Sequence, residues 1–193
     1  MAARRARSSR RAPVRKAVRR PPAARRKAKA PARKKVEAVP RAYGTATAHL
    51  IVSPCAEALE YYRKAFGATV LSTMPGPGGL MMHAEMKIGD SIVMLADEMP
   101  PMQGQALPRK SPRSAGATTG GVMLYVPDTD AVFAAAVAAG GAASMAPADM
   151  FWGDRYAQVE DPFGHVWAIA THLREVSPEE MMKAMAAMGP PPG

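Results

Sequence analysis

The sequence predicts an α+β fold of two modules, each with one strand, one helix and three further strands. Three observations lead to this fold class. Short apolar and β-branched segments alternate with turns rich in Gly, Pro and Asp. Two longer segments have apolar residues at helical spacing and end at glycine. The order then repeats, because Val52 and Gly67 of the first copy correspond to Val126 and Gly140 of the second, about 74 residues later.

The first module is assigned to residues 45–98. Its first strand is "TATAHLIVS", and its helix is "CAEALEYYRKAFGA", which ends at Gly67. Three strands follow, "TVLSTM", "LMMHAEMKI" and "SIVMLADE", and a two-residue turn at Gly89-Asp90 joins the last two.

The second module is assigned to residues 119–172, after a linker at 99–118. It has a strand "GGVMLYV", a helix that begins at Asp128 or Asp130, a short strand "AASMAP", and a final pair, "DRYAQVE" and "HVWAIATH". The intervening Asp-Pro-Phe-Gly run has the composition of a turn. We expect Glu160 to pair with His165 across it.

Residues 176–193 are predicted to form a C-terminal amphipathic helix and a tail. Ser177 and Glu180 have the spacing of a capping box. Met181, Met185 and Met188 then share one face, which indicates packing on the same domain or on a second subunit.

The N-terminal residues 1–44 are predicted to be a disordered basic tail. Residues 1–41 hold 17 of the 26 Lys and Arg residues of the chain, only one acid, Glu37, and no aromatic residue. Such a tail can bind nucleic acid non-specifically by releasing counterions from phosphates. The alternatives are the codon bias of a GC-rich genome, a translation start further downstream, and a mitochondrial targeting segment. The candidate nucleic-acid contacts are Arg4, Arg5, Arg19, Arg20, Arg25, Arg26, Lys27, Lys34 and Lys35.

The rest of the composition indicates a soluble cytoplasmic protein. The single cysteine, Cys55, excludes an intramolecular disulfide. No apolar run is long enough to span a bilayer, so no membrane partner is expected.

The two modules resemble the vicinal oxygen chelate (VOC) superfamily, which includes glyoxalase I, bleomycin and fosfomycin resistance proteins and extradiol dioxygenases. The likeness rests on "HLIVSPCAEALEYYRKAFGA" and "MFWGDRYAQVEDPFGHVWAIATH", and the WGDR and DPFGH-W motifs together are similar to its PhnB-like branch. It covers about residues 45–175. The resemblance implies a curved sheet around a central cleft, a homodimer, and either an enzyme of the glyoxalase or dioxygenase type or a drug-sequestering protein.

The resemblance also implies where a metal would bind. In metal-dependent members, four side chains from the first and last strands of the two modules hold one divalent cation. Those positions correspond here to Thr47, Met94, Gly121 and Ala168, none of which is a competent ligand. We therefore expect no cofactor at the usual site.

A second polar group lies close to those positions. If Ile88 pairs with Ser91, then Glu85 lies opposite Met94. His83 and Glu85 then share the cleft side with His49. These three residues form an off-position divalent-metal site, a general acid/base set, or a group of polar side chains that bond one another and line the pocket.

The second module offers ligand-binding candidates. With Glu160 opposite His165, Arg155 faces the cleft, where it anchors a carboxylate or phosphate or else forms an ion pair with Asp154 or Glu160. Trp152 stacks on a ligand or packs internally. The further candidate lining residues are Thr47, Met94, Met123 and Tyr125.

The linker carries three basic residues, Arg109, Lys110 and Arg113, which form a lid over an anionic ligand or belong to a plain connection. The preferred function is binding of a small, partly apolar molecule, anionic or neutral, in the cleft between the modules. The alternatives are a metal-dependent lyase or dioxygenase with an off-position site, and a nucleoid-associated protein with a VOC module.

Overall fold

The computed structural model describes residue 40 and residues 42–101 and 108–188. The nine basic residues assigned to nucleic-acid binding lie outside the described residues. Within them, no helix is long and apolar enough to cross a membrane.

The first module has the predicted order of elements. The elements are β1 (Ala48–Val52), α1 (Cys55–Phe66), β2 (Thr69–Pro75), β3 (Met81–Ile88) and β4 (Ser91–Asp97). The four strands form one sheet in the order β1-β4-β3-β2, with β1 parallel to β4 and the other neighbours antiparallel. The turn at Gly89-Asp90 pairs Ile88 with Ser91, as expected, and Gly67 ends the helix with φ 64°.

The second module repeats this topology. A short helix in the linker, α2 (Pro112–Ala115), precedes it. The module's elements are β5 (Gly121–Tyr125), α3 (Thr129–Ala138), β6 (Ala142–Asp149), β7 (Asp154–Glu160) and β8 (Val166–His172), and α4 (Pro178–Met188) follows them. The order of strands in the sheet is β5-β8-β7-β6. The duplicated α+β architecture predicted from the sequence is thus confirmed.

The last strand of each module caps the helix of the same module. In module one, the buried Asp97 carboxylate accepts the backbone N–H of Cys55 at 2.8 Å. In module two, Thr171 Oγ1 accepts the N–H of Thr129 at 3.0 Å. Because the first N–H groups of a helix have no partner within the helix, both contacts stabilise the helix start. Asp128 adds a side-chain cap to the Ala131 N–H at 3.0 Å.

A single hydrophobic core underlies both sheets. Helices α1 and α3 pack against each other, and apolar residues of both modules meet beneath them. The fully buried side chains include Tyr62, Met86 and Leu95 from module one and Trp167 and Ile169 from module two. The helices and the core therefore occupy one side of the sheets.

The pairing of β7 with β8 differs from the expected register. Asp161 donates its N–H to the carbonyl of His165 at 2.9 Å, and Glu160 pairs with Val166 instead of His165. A shift of one residue moves every side chain of a strand to the other face. Ala157 and Val159 are consequently buried in the core, and the predicted cleft orientation of Arg155 is wrong.

The C-terminal segment begins as predicted. Ser177 N–H donates to Glu180 Oε2 at 3.0 Å, and Glu180 N–H donates to Ser177 Oγ at 3.2 Å, which completes the capping box. On α4, Met182 and Met185 are exposed, whereas Met181 is half-buried. Of the methionines predicted to share a packing face, Met181 is thus partly buried and Met185 is exposed among the described residues.

Candidate functional site

The sheet face of module one opposite the helices brings together the three polar residues singled out from the sequence. Glu85 pairs with Met94 across β3 and β4, and His49 pairs with Met94 across β1 and β4. The His49 and His83 rings meet edge to face with centroids 6.0 Å apart. His83 Nε2 lies 3.2 Å from Glu85 Oε1. The side chains of His83 and Glu85 are 30% and 18% exposed, so a ligand can reach the group.

Glu85 is the centre of this group. It accepts hydrogen bonds from Tyr43 Oη at 2.7 Å and Ser72 Oγ at 3.2 Å in addition to its contact with His83. The hydrogen bonds from Tyr43 and His83 lower the pKa of Glu85. Its carboxylate is thus ionised near neutral pH and acts as an acceptor only.

His49 has a different environment from His83. Arg109 Nη1 lies 3.4 Å from His49 Nδ1. Burial lowers the pKa of His49, and the positive charge of Arg109 lowers it further. His49 is therefore neutral at physiological pH.

The sheet face of module two opposite the helices carries mainly apolar and aromatic side chains. Met123 pairs with Ala168 and Tyr125 with Ala170, and Gln158 pairs with Ala168 from the other side. Met123 is 45% exposed and Tyr125 is 65% exposed. A depression of about 510 Å³ lies over this surface and includes Tyr156 and Gln158 in its lining.

A second depression, of about 330 Å³, lies where the two modules adjoin. Strand β1 forms one wall, with His49 among its residues, and the rest of the lining includes Lys110, His165 and the segment 118–122. The same segment 118–122 lines the depression of module two. His165 Nε2 lies 3.0 Å from the carbonyl oxygen of Ile51, which connects the two modules at this point.

The carboxylate of Glu98, directly before the linker, binds the far end of the linker through hydrogen bonds. Glu98 Oε1 accepts hydrogen bonds from Ser111 N–H at 2.7 Å, from Ser114 Oγ at 2.5 Å and from Ser111 Oγ. These bonds lower the pKa of Glu98. They fix the end of the linker that places Arg109 and Lys110 beside β1.

At the end of the second sheet, His172 forms a pair with a buried carboxylate. Its Nδ1 lies 2.8 Å from Asp154 Oδ1, and Tyr125 Oη donates to Asp154 Oδ2 at 3.1 Å. Hydrogen bonding to Asp154 raises the pKa of His172, and a weaker contact with Glu175 adds to it.

Arg155 lies on the helix side of the sheet in the described structure. Its guanidinium contacts both carboxylate oxygens of Asp130 at the start of α3, with Nη2 at 2.7 Å from Oδ1, and its Nη1 lies 2.9 Å from Asp149 Oδ1. Arg155 thus forms an ion pair as expected, but its predicted partners, Asp154 and Glu160, were wrong. Trp152 is half-buried and packs edge to face against Phe151 and Tyr156, with centroids 5.0 and 5.6 Å away.

The four positions that the resemblance assigns to a metal do not fit a divalent cation. Gly121 and Ala168 have no donor atom in their side chains, and a Cβ at Gly121 would already lie 3.0 Å from the Val166 carbonyl oxygen. Thr47 and Met94 offer a hydroxyl and a thioether, which are poor ligands for such an ion. Among the described residues, no three His, Cys, Asp or Glu side chains are arranged to hold a metal, and this includes His49, His83 and Glu85.

Two participants of the site were missed by sequence reasoning. Tyr43 lies in the segment assigned to the tail, and Ser72 lies on β2. A signal for Tyr43 does exist, because it is the first aromatic residue of the chain and follows a long segment without any. Ser72 has no such signal, since its contact depends on how β2 pairs with β3.

Comparison with known proteins identifies the family. Residues 44–169 match the model of the Glyoxalase/Bleomycin resistance protein/Dioxygenase superfamily. The chain belongs to this superfamily. An uncharacterized protein of Mycobacterium tuberculosis and one of Mycobacterium bovis are each 42% identical to this chain over 141 residues, which is 73% of this chain. The matched region covers 82% of the Mycobacterium tuberculosis protein and 91% of the Mycobacterium bovis protein.

Solved structures share the fold of this superfamily member. TioX from a Micromonospora species is 27% identical, with a TM-score of 0.54 over 67% of this chain and 100% of TioX. A protein of Pseudomonas aeruginosa is 23% identical, with a TM-score of 0.53 over 67% of this chain and 98% of that protein. The PhnB protein of Bacillus cereus is 16% identical, with a TM-score of 0.50 over 66% of this chain and 99% of PhnB. The last two show likeness of fold alone.

Proposed function

We propose that this VOC protein binds a small, partly apolar anion where the two modules adjoin, without the four-ligand metal site of its metal-dependent relatives. The observation that carries the proposal is the juxtaposition of two depressions that share residues 118–122. One contains Lys110 and His49, and the other contains Met123 and Tyr156. A ligand that spans them would find charge at one end and apolar surface at the other.

Size and chemistry support this assignment. The two depressions, about 330 and 510 Å³, fall within the range of small-molecule sites, which is roughly 300–1,000 Å³. Methionine adapts to ligands of varied shape, and tyrosine presents an apolar face with a polar tip. Arg109 and Lys110 are exposed beside β1, so an anion can approach them without breaking an internal ion pair between described residues.

The test uses a probe with the same chemistry, 8-anilinonaphthalene-1-sulfonate, titrated by fluorescence against the full-length protein. We expect a single site whose affinity falls about fivefold in the Arg109→Gln/Lys110→Gln double variant, since exposed charge contacts contribute up to about 1 kcal/mol. Met123→Gln should also weaken binding. The matched control is Arg63→Gln, because Arg63 is an exposed arginine on α1 paired with Glu60. Equal affinity in all four proteins would contradict the proposal.

We also infer that the protein forms a homodimer. Large apolar side chains are exposed on β2, an edge strand of the first sheet: Val70, Leu71 and Met74. Exposed apolar surface of this kind favours association. Light scattering coupled to size exclusion is expected to give twice the chain mass, and Leu71→Lys/Met74→Lys is expected to shift it towards the monomer. A monomer mass for the unaltered protein would contradict the dimer.

A further inference from the structure

Met123 is an exposed methionine in the lining of the depression of module two. Its neighbours explain why it is exposed. Residues two apart on a strand share a face, and Gly121, two residues before Met123 on β5, has no side chain. Across the sheet, Met123 pairs with Ala168, whose methyl group is too short to cover a thioether. Met123 therefore presents 45% of its surface to the solvent that fills the depression.

The exposure of Met123 has the same cause as the unsuitable metal positions. Gly121 and Ala168 are two of the four positions that the resemblance assigns to a metal. A His or Glu at either position would lie directly beside Met123, because one shares its face along β5 and the other is its partner on β8. The two small residues thus remove the metal ligands and uncover a thioether in one step.

An oxidant that reaches the folded chain meets methionine more readily than cysteine. Cys55, the only cysteine, is buried, and burial raises the pKa of its thiol to about 12. Little of the reactive thiolate therefore forms at neutral pH. Met86 is fully buried, and Met74 is 54% exposed but lies on β2, away from the lining of the depression. Of these residues, only Met123 is both exposed and part of the ligand-binding surface.

We propose that Met123 is a site of reversible oxidation by hydrogen peroxide, and that its sulfoxide lowers the affinity of the depression for apolar anions. The second part of this inference rests on the proposed binding function. It gives that function a control by oxidants, which the conversion of methionine to its sulfoxide provides in other proteins.

The oxidation and its reversal are both balanced reactions. The thioether sulfur attacks one oxygen of hydrogen peroxide, an S–O bond forms and the O–O bond breaks. The proton of the transferred oxygen moves to the departing hydroxide, which leaves as water. Sulfur loses two electrons and the peroxide gains them. In the reversal, a methionine sulfoxide reductase takes two electrons from a pair of thiols, which become a disulfide, and the sulfoxide oxygen leaves as water.

The sulfoxide changes the surface that a ligand contacts. Methionine is flexible and apolar, whereas its sulfoxide is polar and has an oxygen that accepts hydrogen bonds from water. An apolar ligand group that displaces this water leaves the oxygen without a partner, which costs free energy. We therefore expect the affinity for an apolar anion to fall about tenfold after oxidation.

The experiment treats the full-length protein with hydrogen peroxide and locates the added oxygen atoms by peptide mass spectrometry. We expect Met123 and Met74 to gain one oxygen atom each, and the treatment ends before the buried Met86 reacts. The affinity for 8-anilinonaphthalene-1-sulfonate is measured before and after treatment and should show the tenfold loss. Methionine sulfoxide reductases A and B with dithiothreitol should restore it, since each enzyme reduces one of the two sulfoxide epimers.

The variant Met123→Leu assigns the loss of affinity to one side chain. Its affinity before treatment is its own reference, and peroxide should leave that value unchanged because leucine has no sulfur. Met74→Leu is the matched control, since it removes a similarly exposed methionine from the other module. It should remain as sensitive to peroxide as the unaltered protein.

Each contrary result overturns a defined part of the inference. A peptide map with sulfoxide at Met74 but none at Met123, or a sulfoxide at Met123 that the reductases do not remove, would overturn the reversible modification site. An equal loss of affinity in Met123→Leu, or full affinity with Met123 oxidised, would overturn the control of binding. If the dye fails to bind before any treatment, the proposed function and its control are both wrong, whereas the peptide map still decides the modification of Met123.

Discussion

The hydroxyl of Tyr62 donates a hydrogen bond of 2.7 Å to Asp161, and this bond connects helix α1 of the first module to the turn before β8 of the second. The same carboxylate oxygen accepts Trp167 Nε1–H at 2.9 Å, and the other oxygen accepts the N–H groups of Phe163 and His165. Asp161 is buried, so these four donors replace the water it has lost. The DPFGH-W sequence is thus a structural motif that joins the modules.

Substitutions at this junction should differ sharply in their effect on stability. Asp161→Ala leaves two buried side-chain donors and two backbone donors with no acceptor, and we expect it to lower the free energy of unfolding by about 3 kcal/mol or more. Tyr62→Phe removes one donor from a carboxylate that keeps three others, and should cost about 1 kcal/mol. Urea unfolding followed by tryptophan fluorescence measures both. Equal losses in the two variants would show that Asp161 does not act as a shared acceptor.

The sequence predicted the strands and helices well because local chemistry specifies them. Gly67 ends α1 and Asp128 caps α3 through contacts within a few residues, and Gly89-Asp90 sets the hairpin register that places Glu85 opposite Met94. This register is why the grouping of His49, His83 and Glu85 could be anticipated.

The register of β7 could not be read from the sequence in the same way. Its connection to β8 is longer, and the buried Asp161, which bonds Tyr62 of the other module, decides where pairing begins. Local turn chemistry does not contain that contact. Arg155 was consequently assigned to the cleft face of the sheet, which Tyr156 occupies instead. For Tyr43 the sequence marks only its place as the first aromatic residue, and its contact with Glu85, which spans 42 residues, could not be predicted from local chemistry.

Arg155 is expected to stabilise module two rather than bind a ligand. Its guanidinium joins Asp130 of α3 to Asp149 of β6 on the helix side of the sheet. Arg155→Met should lower the free energy of unfolding by about 1 kcal/mol, because partly exposed ion pairs contribute little each. The affinity for the fluorescent anion should stay unchanged. A large loss of affinity for the anion without a loss of stability would indicate that Arg155 contacts the ligand after all.

Metal analysis of protein purified without chelators should find less than one divalent ion per chain. The reason is the donor set, since Gly121 and Ala168 supply no ligand atom at the family's positions. Elemental analysis by mass spectrometry makes the measurement, and treatment with EDTA should leave anion binding unchanged. A stoichiometric ion that is lost in both His49→Ala and Glu85→Ala would instead support the off-position metal site and a metal-dependent lyase or dioxygenase.

The basic N-terminal segment predicts salt-sensitive binding to DNA. Residues 1–41 carry 17 Lys and Arg residues against one acid, whereas the remaining residues have a net negative charge. Binding through phosphate contacts should weaken steeply with salt and be independent of base sequence. Fluorescence anisotropy with two unrelated DNA duplexes at several salt concentrations measures this. A full-length variant with Gln at the nine candidate positions should bind much more weakly, and equal affinity in both proteins would exclude these nine residues as the contacts.

His172 is expected to make the stability of module two depend on pH. Its hydrogen bond with Asp154 raises its pKa in the folded protein, so the folded state favours the charged ring. The resulting stabilisation is complete below the unfolded pKa of about 6.5 and is lost as the pH rises through the higher folded value. The lowered pKa of His49 changes the pH dependence of stability in the opposite direction. The contribution of His172 is therefore measured as the difference in stability between the unaltered protein and a His172 variant.

The measurement is urea unfolding of the unaltered protein and of His172→Gln at a series of pH values from about 5.5 to 8.5, a window that begins below the unfolded pKa. The unaltered protein should be the more stable of the two at the acidic end, and the difference should shrink as the pH rises. Because His172 is about half exposed, with 49% of its side-chain surface accessible, the effect should weaken at high salt. A difference that stays constant across the series would show that the ring contributes through packing or a neutral hydrogen bond, and that its charge has no part in stabilising the end of β8.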